Sequence, residues 1–300
     1  MGEIMSSPLS DHPNVYARME QIRHKIVVLS GKGGVGKSTV SANLALSLAA
    51  KGHKVGLLDA DIHGPSIPTL FNLQNETARQ VADMILPIHR SGVALMSAGF
   101  MLSAPDQAVI VRGPMKIKIL EQMLGDVEWG NLDYLVIDCP PGTGDEPLAV
   151  CQLIDSPDGG VIVTTPQEVA AADVRKSVQF CRKLNLPILG ILENMGGFAC
   201  PKCNEIFPIF GKDGGRKIAE KYNEAFLGSI PIDPAVGLCG DAGRSFLEHH
   251  ADSSAAAAFE KAVGQIDEAL KLLPAPTSAP FGNACESSAS NTSCPSGKSD

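Results

Sequence analysis

Nine consecutive residues, Gly31-Lys32-Gly33-Gly34-Val35-Gly36-Lys37-Ser38-Thr39, have the types and spacing of a phosphate-binding loop. The pattern needs Gly31, Gly36, Lys37 and Ser38, and Lys32 is a lysine beyond that need. Gly33, Gly34 and Gly36 allow backbone conformations closed to other residues, so successive N–H groups can turn inward around phosphate oxygens. Lys37 then reaches the β and γ phosphates, and the Ser38 hydroxyl binds Mg2+. All nine residues, Val35 and Thr39 included, are candidates for nucleotide contact.

The acidic partners lie elsewhere in the chain. Asp138 closes the apolar run Tyr134-Leu135-Val136-Ile137, placing a carboxylate at a strand tip, where it can hold Mg2+ directly or through water. The loop Cys139-Pro140-Pro141-Gly142-Thr143-Gly144-Asp145 is rich in turn residues and suits a switch that senses the γ-phosphate. A rigid connector is the other reading, since prolines also stiffen loops. Asp61, in Asp59-Ala60-Asp61-Ile62-His63-Gly64-Pro65-Ser66, is placed to orient the attacking water. His63 and Asp59 are weaker candidates, because a histidine near a strand end more often serves a structural hydrogen bond.

A third signal is Cys200-Pro201-Lys202-Cys203, whose spacing can aim two sulfurs at one metal. A thioredoxin-like redox pair, structural zinc and ordinary loop cysteines are the alternatives. Both metal readings need four sulfurs, and this motif supplies two. Cys139, Cys151, Cys181, Cys239, Cys285 and Cys294 form no second such pair. The simplest completion is Cys200 and Cys203 of another copy across a twofold axis.

The elements that must position these residues alternate between strand and helix. Strands are expected at residues 25–30, 54–58, 93–97, 134–138, 161–165, 188–193 and 226–230, from short apolar, β-branched runs. Helices are expected from residue 38 to 49 and at 115–124, 169–184, 213–222 and 255–273. This alternation predicts an α/β fold: a mostly parallel sheet with helices on both faces. Ligands of such sheets bind beyond the carboxyl ends of strands, where Asp59, Asp61, Asp138 and Asn194 fall.

With 300 residues, 44 % of them hydrophobic, the chain can bury a large core in one domain. A net charge of −8 argues against nucleic acid as a partner. No apolar run reaches membrane-spanning length and no signal-peptide core is present, so a cytoplasmic protein is expected. Residues 1–6 match a loose myristoylation pattern that occurs often by chance. The expected division is a short extension over residues 1–24, the nucleotide-binding domain over 25–273 and a disordered tail, rich in Ser, Ala, Pro and Asn, over 274–300. The helix at 255–273 is amphipathic, but its polar face mixes both charges and lacks the basic bias that holds anionic lipid. Packing on the sheet, rather than on a membrane, is its expected use.

Together with Val163-Thr164-Thr165-Pro166-Gln167, Glu193-Asn194-Met195, Ile230-Pro231-Ile232-Asp233-Pro234 and Gly240-Asp241-Ala242-Gly243-Arg244, these motifs resemble the Mrp family of ATP-dependent iron-sulfur cluster carriers. The wider class includes the MinD and ParA ATPases and the nitrogenase iron protein, and the resemblance spans roughly residues 22–272. It implies a P-loop NTPase that works as a homodimer around two ATP molecules, with Lys32 of each subunit contacting the other's nucleotide. It also implies that Asp61 assists hydrolysis and that Asn194 and residues 231–233, Asp233 among them, lie near the adenine and ribose. Cys200 and Cys203 of two subunits would bridge a [4Fe-4S] cluster destined for apoprotein clients. The rival class is a MinD- or ParA-like positioning ATPase with structural zinc at the dimer seam. Two departures from the family stand out: no cysteine precedes the first strand, and Cys139 sits where relatives have an apolar residue. A buried small side chain is the expected role of Cys139, and Cys285 and Cys294 receive no site.

Overall fold

Strand runs that are apolar on both sides must be covered on both faces, and their order along the chain sets how helices can cover them. The computed structural model describes residues 12–101, 113–154, 157–200, 202–203 and 205–272. Its elements in chain order are α1 (Pro13–Met19), β1 (Ile22–Leu29), α2 (Lys37–Ala50), β2 (Val55–Asp59), α3 (Ile67–Leu70), β3 (Arg79–Val81), β4 (Met84–Leu86), β5 (Ile88–Arg90), β6 (Val93–Ser97), a 3-10 turn (Ala98–Met101), α4 (Gly113–Gly125) and β7 (Leu132–Asp138). There follow α5 (Asp145–Leu153), β8 (Gly159–Thr164), α6 (Glu168–Lys183), β9 (Ile188–Ala199), β10 (Ile206–Phe207), α7 (Gly214–Tyr222), β11 (Phe226–Ile232), α8 (Pro234–Asp241), α9 (Phe246–His249) and α10 (Ser254–Leu272).

The main sheet runs β10-β9-β8-β1-β7-β2-β6-β5, with β11 also paired to β9. Pairings among β1, β2, β6, β7, β8, β9 and β11 are parallel, as expected; β5 on β6 and β10 on β9 are antiparallel. Neither antiparallel strand is predicted from the sequence, because two or three residues are too few to show a period.

Alternate side chains of each strand enter opposite layers. Ile26 and Val28 of β1, with Tyr134 and Val136 of β7, meet α2 and α10 in one core. Val27, Leu29, Leu135 and Ile137 meet α4, α5 and α6 in the other. Helix α2 is buried almost all round, which fits its apolar and small residues. Helix α10 buries Phe259, Val263, Ile266 and Leu270 on this scaffold, and Tyr134 donates its hydroxyl hydrogen to Asp267 Oδ1 at 2.8 Å. Its apolar face is thus consumed by the sheet. Among the described residues no helix is long and apolar enough to cross a membrane.

The boundary expected at residue 24 shifts. Strand β1 starts at Ile22, and α1 before it buries Val15 and Met19 in the second core, so residues 13–24 are structurally part of the domain. The expected tail at 274–300, with Cys285 and Cys294, lies outside the described residues.

Candidate functional site: a nucleotide cleft beside a two-cysteine hairpin

Strand β1 ends at Leu29 and α2 begins at Lys37, so the glycine-rich segment is the strand-to-helix turn that a phosphate loop requires. Gly34 and Gly36 have φ of 79° and 78°, a region other residues rarely adopt. Gly33 is not in that region, which corrects the expectation that all three glycines serve the same end. Gly31 is needed for space instead: a Cβ there would overlap the main-chain carbonyl of Asp173 in α6. Ser30 donates its hydroxyl hydrogen to Lys32 O at 3.0 Å, bracing the turn.

Register then brings the acids to the loop. Asp138 aligns with Val28 of β1 on one side and Asp59 of β2 on the other. Lys37 Nζ donates to Asp138 Oδ1 at 2.6 Å, and Ser41 Oγ donates to the same oxygen at 2.7 Å. Lys37 is 7 % exposed and Asp138 fully buried. Asp138 Oδ2 has no partner among the described residues, although it is buried. A buried carboxylate oxygen left unsatisfied is costly and calls for a water or a cation. With the Ser38 hydroxyl on the cleft wall, the donor set is hard oxygen, which suits Mg2+. The residues present therefore fit that ion.

Asp59 holds the next loop in place. Its carboxylate accepts from the N–H groups of Asp61 at 3.2 Å and Ile67 at 3.1 Å, and from Ser97 Oγ at 3.2 Å. Burial, and then the charge of Asp138, push its pKa up to about 7, with Lys37 and the two N–H donors opposing. Asp61 is half-buried on the cleft wall, its Oδ1 accepting from Gly64 N at 3.1 Å. Lys32, Gly33, Gly34, Gly36, Lys37, Ser38, Thr39, Asp61 and Pro141 line an open cleft of about 530 Å3, within the usual range for small-molecule sites. The proline-rich loop after Asp138 is anchored where Gly142 N donates to Ser30 O at 2.8 Å. His63 lies 3.9 Å from Glu146, which also pairs with Lys116 of α4, so it sits at the outer rim.

The two residues expected near the nucleoside make contacts within the chain. Asn194 braces the loop from behind, its Nδ2 donating to Val35 O at 2.9 Å. Asp233 caps α8, accepting from Ala235 N at 2.9 Å. Neither lines the cleft. Residues that sequence reasoning missed include Ser41, Asp173 and the Glu146–Lys116 pair. Ser41 alone left a signal, since it lies one helical turn after Lys37 and thus on the same face.

The cysteines sit on a different kind of structure. Strand β9 does not stop near Glu193 but runs on to Ala199, past the last residue it pairs with β8. Glu193 secures that strand from within, accepting from Gly215 N at 2.7 Å and Ser229 Oγ at 2.8 Å. Cys200 N donates to Glu205 O at 2.9 Å, and Cys200 and Cys203 stand at the turn between β9 and β10. Cys200 is half-buried and Cys203 exposed, both as free thiols. N–H groups of Lys202 and Cys203, and the Cys203 thiol, lower the pKa of Cys200. Among the described residues no helix begins here, so the context of a thioredoxin-like pair is missing. Among the described residues no third Cys, His, Asp or Glu joins them as a metal ligand. Cys139, Cys151 and Cys181 are buried thiols whose pKa values burial raises, the last two to about 12, which leaves them as inert core residues.

The chain matches the model of the ParA family described as the NUBPL iron-transfer P-loop NTPase over residues 21–267. It is 48 % identical over 254 residues to the iron-sulfur cluster carrier protein of Methanocaldococcus jannaschii, covering 84 % of this chain and 87 % of that one. It is 44 % identical over 273 residues to a cytosolic Fe-S cluster assembly factor NUBP2 homolog of Monosiga brevicollis, covering 90 % and 95 %. A nucleotide-binding protein of Archaeoglobus fulgidus, solved in complex with ADP and with cobalt, superposes with a TM-score of 0.70 at 42 % identity, covering 78 % of this chain and 92 % of that one. With the phosphate loop, its acidic partners and the parallel sheet in place, these matches establish that the chain belongs to the family of NUBPL-type iron-transfer P-loop NTPases.

Proposed function

We propose that this protein is an ATP-hydrolysing iron-sulfur cluster carrier that works in the cytoplasm as a homodimer, holds one [4Fe-4S] cluster as cargo between two copies, and hands it to apoprotein clients. The observation that carries the reading is the pairing of a nucleotide cleft with two free cysteines at the end of β9, Cys200 half-buried and Cys203 exposed, which read as half a metal site. Relatives named as cluster carriers and cytosolic assembly factors support it.

Lys37 neutralises Asp138 within the chain. ATP phosphates entering the loop would draw Lys37 off Asp138 and onto the β and γ oxygens, releasing Asp138 Oδ1. Asp138 and Ser38 are the residues that would hold Mg2+, which when bound supplies charge neutralisation between the phosphates. Asp61 orients the attacking water from the cleft wall. Lys32 makes no ion pair among the described residues and is free to reach the nucleotide of the facing subunit. Asn194, held on Val35 O of the loop, and Asp233, at the start of α8, would stand near the base and ribose, as the family resemblance implies. Because catalysis is then completed in trans, turnover by the isolated apo protein is slow, and fast hydrolysis in that state would count against the scheme.

The test is anaerobic reconstitution with iron(II) and sulfide. Cluster absorption and about four iron atoms per two chains are expected, with both lost in Cys200→Ser and Cys203→Ser. Zinc without iron or sulfide in anaerobically isolated protein would point to a regulatory ATPase with a structural metal instead.

A further inference from the structure

Large apolar side chains left in water are unevenly distributed on this molecule. Ile206, Phe207, Ile209 and Phe210 are 65, 47, 56 and 38 % exposed, so four of them fall within five residues. A scattered apolar side chain on a surface needs no explanation, but four clustered within five residues mark an interaction site. Ile206 and Phe207 form the return limb of the cysteine hairpin, pairing with Ala199 and Phe198 directly below Cys200, and Ile209 and Phe210 follow in the turn beyond it.

Position and charge select the occupant. If two copies present their cysteine pairs to one cluster, the hairpins must meet at the twofold axis, and an isologous contact sets the same patch of each copy against the other. Residues 200–213 carry Lys202 and Lys212 against Glu205 and Asp213, so the hairpin is electrically balanced on a chain of net charge −8. Two copies can approach here without the like-charge repulsion that opposes contact elsewhere.

We propose that Ile206, Phe207, Ile209 and Phe210 form the apolar seal of the homodimer, closing against the same residues of a second copy and shielding the cluster held by Cys200 and Cys203. The proposal rests on the cluster-carrier reading above. An apolar collar controls solvent access to a metal group and thereby its lability.

The test uses full-length protein without nucleotide, reconstituted anaerobically with iron(II) and sulfide. Wild type and Phe207→Asp/Ile209→Asp are compared for mass in solution, iron content and decay of cluster absorption in air. The double variant is expected to run as a monomer and to retain at least tenfold less iron, with its circular dichroism and ATP binding unchanged. Should those charges unfold the hairpin, Phe207→Ser/Phe210→Ser serves, with faster decay in air as the expected result. A variant with wild-type mass, iron and decay overturns the seal while leaving the carrier reading intact. A variant that keeps dimer and cluster but fails to pass the cluster to an apoprotein assigns the patch to client docking and also overturns it. A wild type that takes up no iron overturns both.

Discussion

The nucleotide cleft and the cysteine hairpin rise from the same end of one sheet, yet they are built on opposite terms. In the cleft the charged groups Lys37, Asp138 and Asp59 are buried and, Asp138 Oδ2 apart, satisfied within the chain: Lys37 on Asp138, Ser41 on the same oxygen, Asp59 on two N–H groups and Ser97. At the hairpin Cys200 is half-buried and Cys203 exposed, no third metal-ligating side chain stands beside them among the described residues, and four apolar side chains face water. On the proposed reading one chain carries nearly the whole of the phosphate chemistry but only half of the metal chemistry. The difference locates where a second copy is needed.

If that division holds, substitutions in the cleft and on the hairpin should separate cleanly. Lys37→Ala removes the cation that meets the phosphates, and ATP turnover is expected to fall about 10²- to 10³-fold, while iron uptake by the unaltered cysteines persists. Loss of iron in the same variant would break the separation.

Asp59 gives the next largest effect, and one confined to the cleft. Its carboxyl pKa of about 7 lies above the unfolded value of 3.8, so the folded protein binds that proton more tightly. Its stabilising contribution is fully present below pH 4 and is lost as pH rises through 7. Asp59→Asn should flatten this dependence, raising the melting temperature relative to wild type by more at pH 8 than at pH 4. The linked free energy is on the order of 4 kcal/mol. Parallel melting curves across that range would contradict the assigned environment.

Smaller effects test the scaffold beneath the two regions. Gly31→Ala forces a methyl group onto the Asp173 carbonyl and should cost about 1–3 kcal/mol in a denaturant titration. Gly33→Ala, with open space around its Cβ, should cost clearly less. Tyr134→Phe removes the hydroxyl held by Asp267 and should cost about 1 kcal/mol, leaving both turnover and iron uptake unchanged.

The two regions also differed in how far they could be read before the fold was known. The phosphate loop is legible because its chemistry lies in consecutive main-chain N–H groups, and Asp138 because it ends an uninterrupted apolar strand. Contacts that depend on which helix lies behind the loop left no local trace, as with Asp173 under Gly31 or Asn194 on Val35. The cysteine spacing was visible, but its setting was not: Gly196 and Gly197 suggest a strand end, whereas β9 continues through them with Gly197 at φ 148°. Strand β10, two residues flanked by Pro208, has no period to detect. The exposed side chains at 206–210 read in sequence as an ordinary apolar run, and only their exposure distinguishes them from core.

The central claim, that two half-sites make one metal centre, is tested most directly by native mass spectrometry of the anaerobically reconstituted protein. The expected species has the mass of two chains plus one four-iron, four-sulfide cluster, and it disappears in Cys203→Ser while that variant still binds ATP. A cluster carried by a single chain, or a dimer whose iron survives the loss of Cys203, would contradict the account.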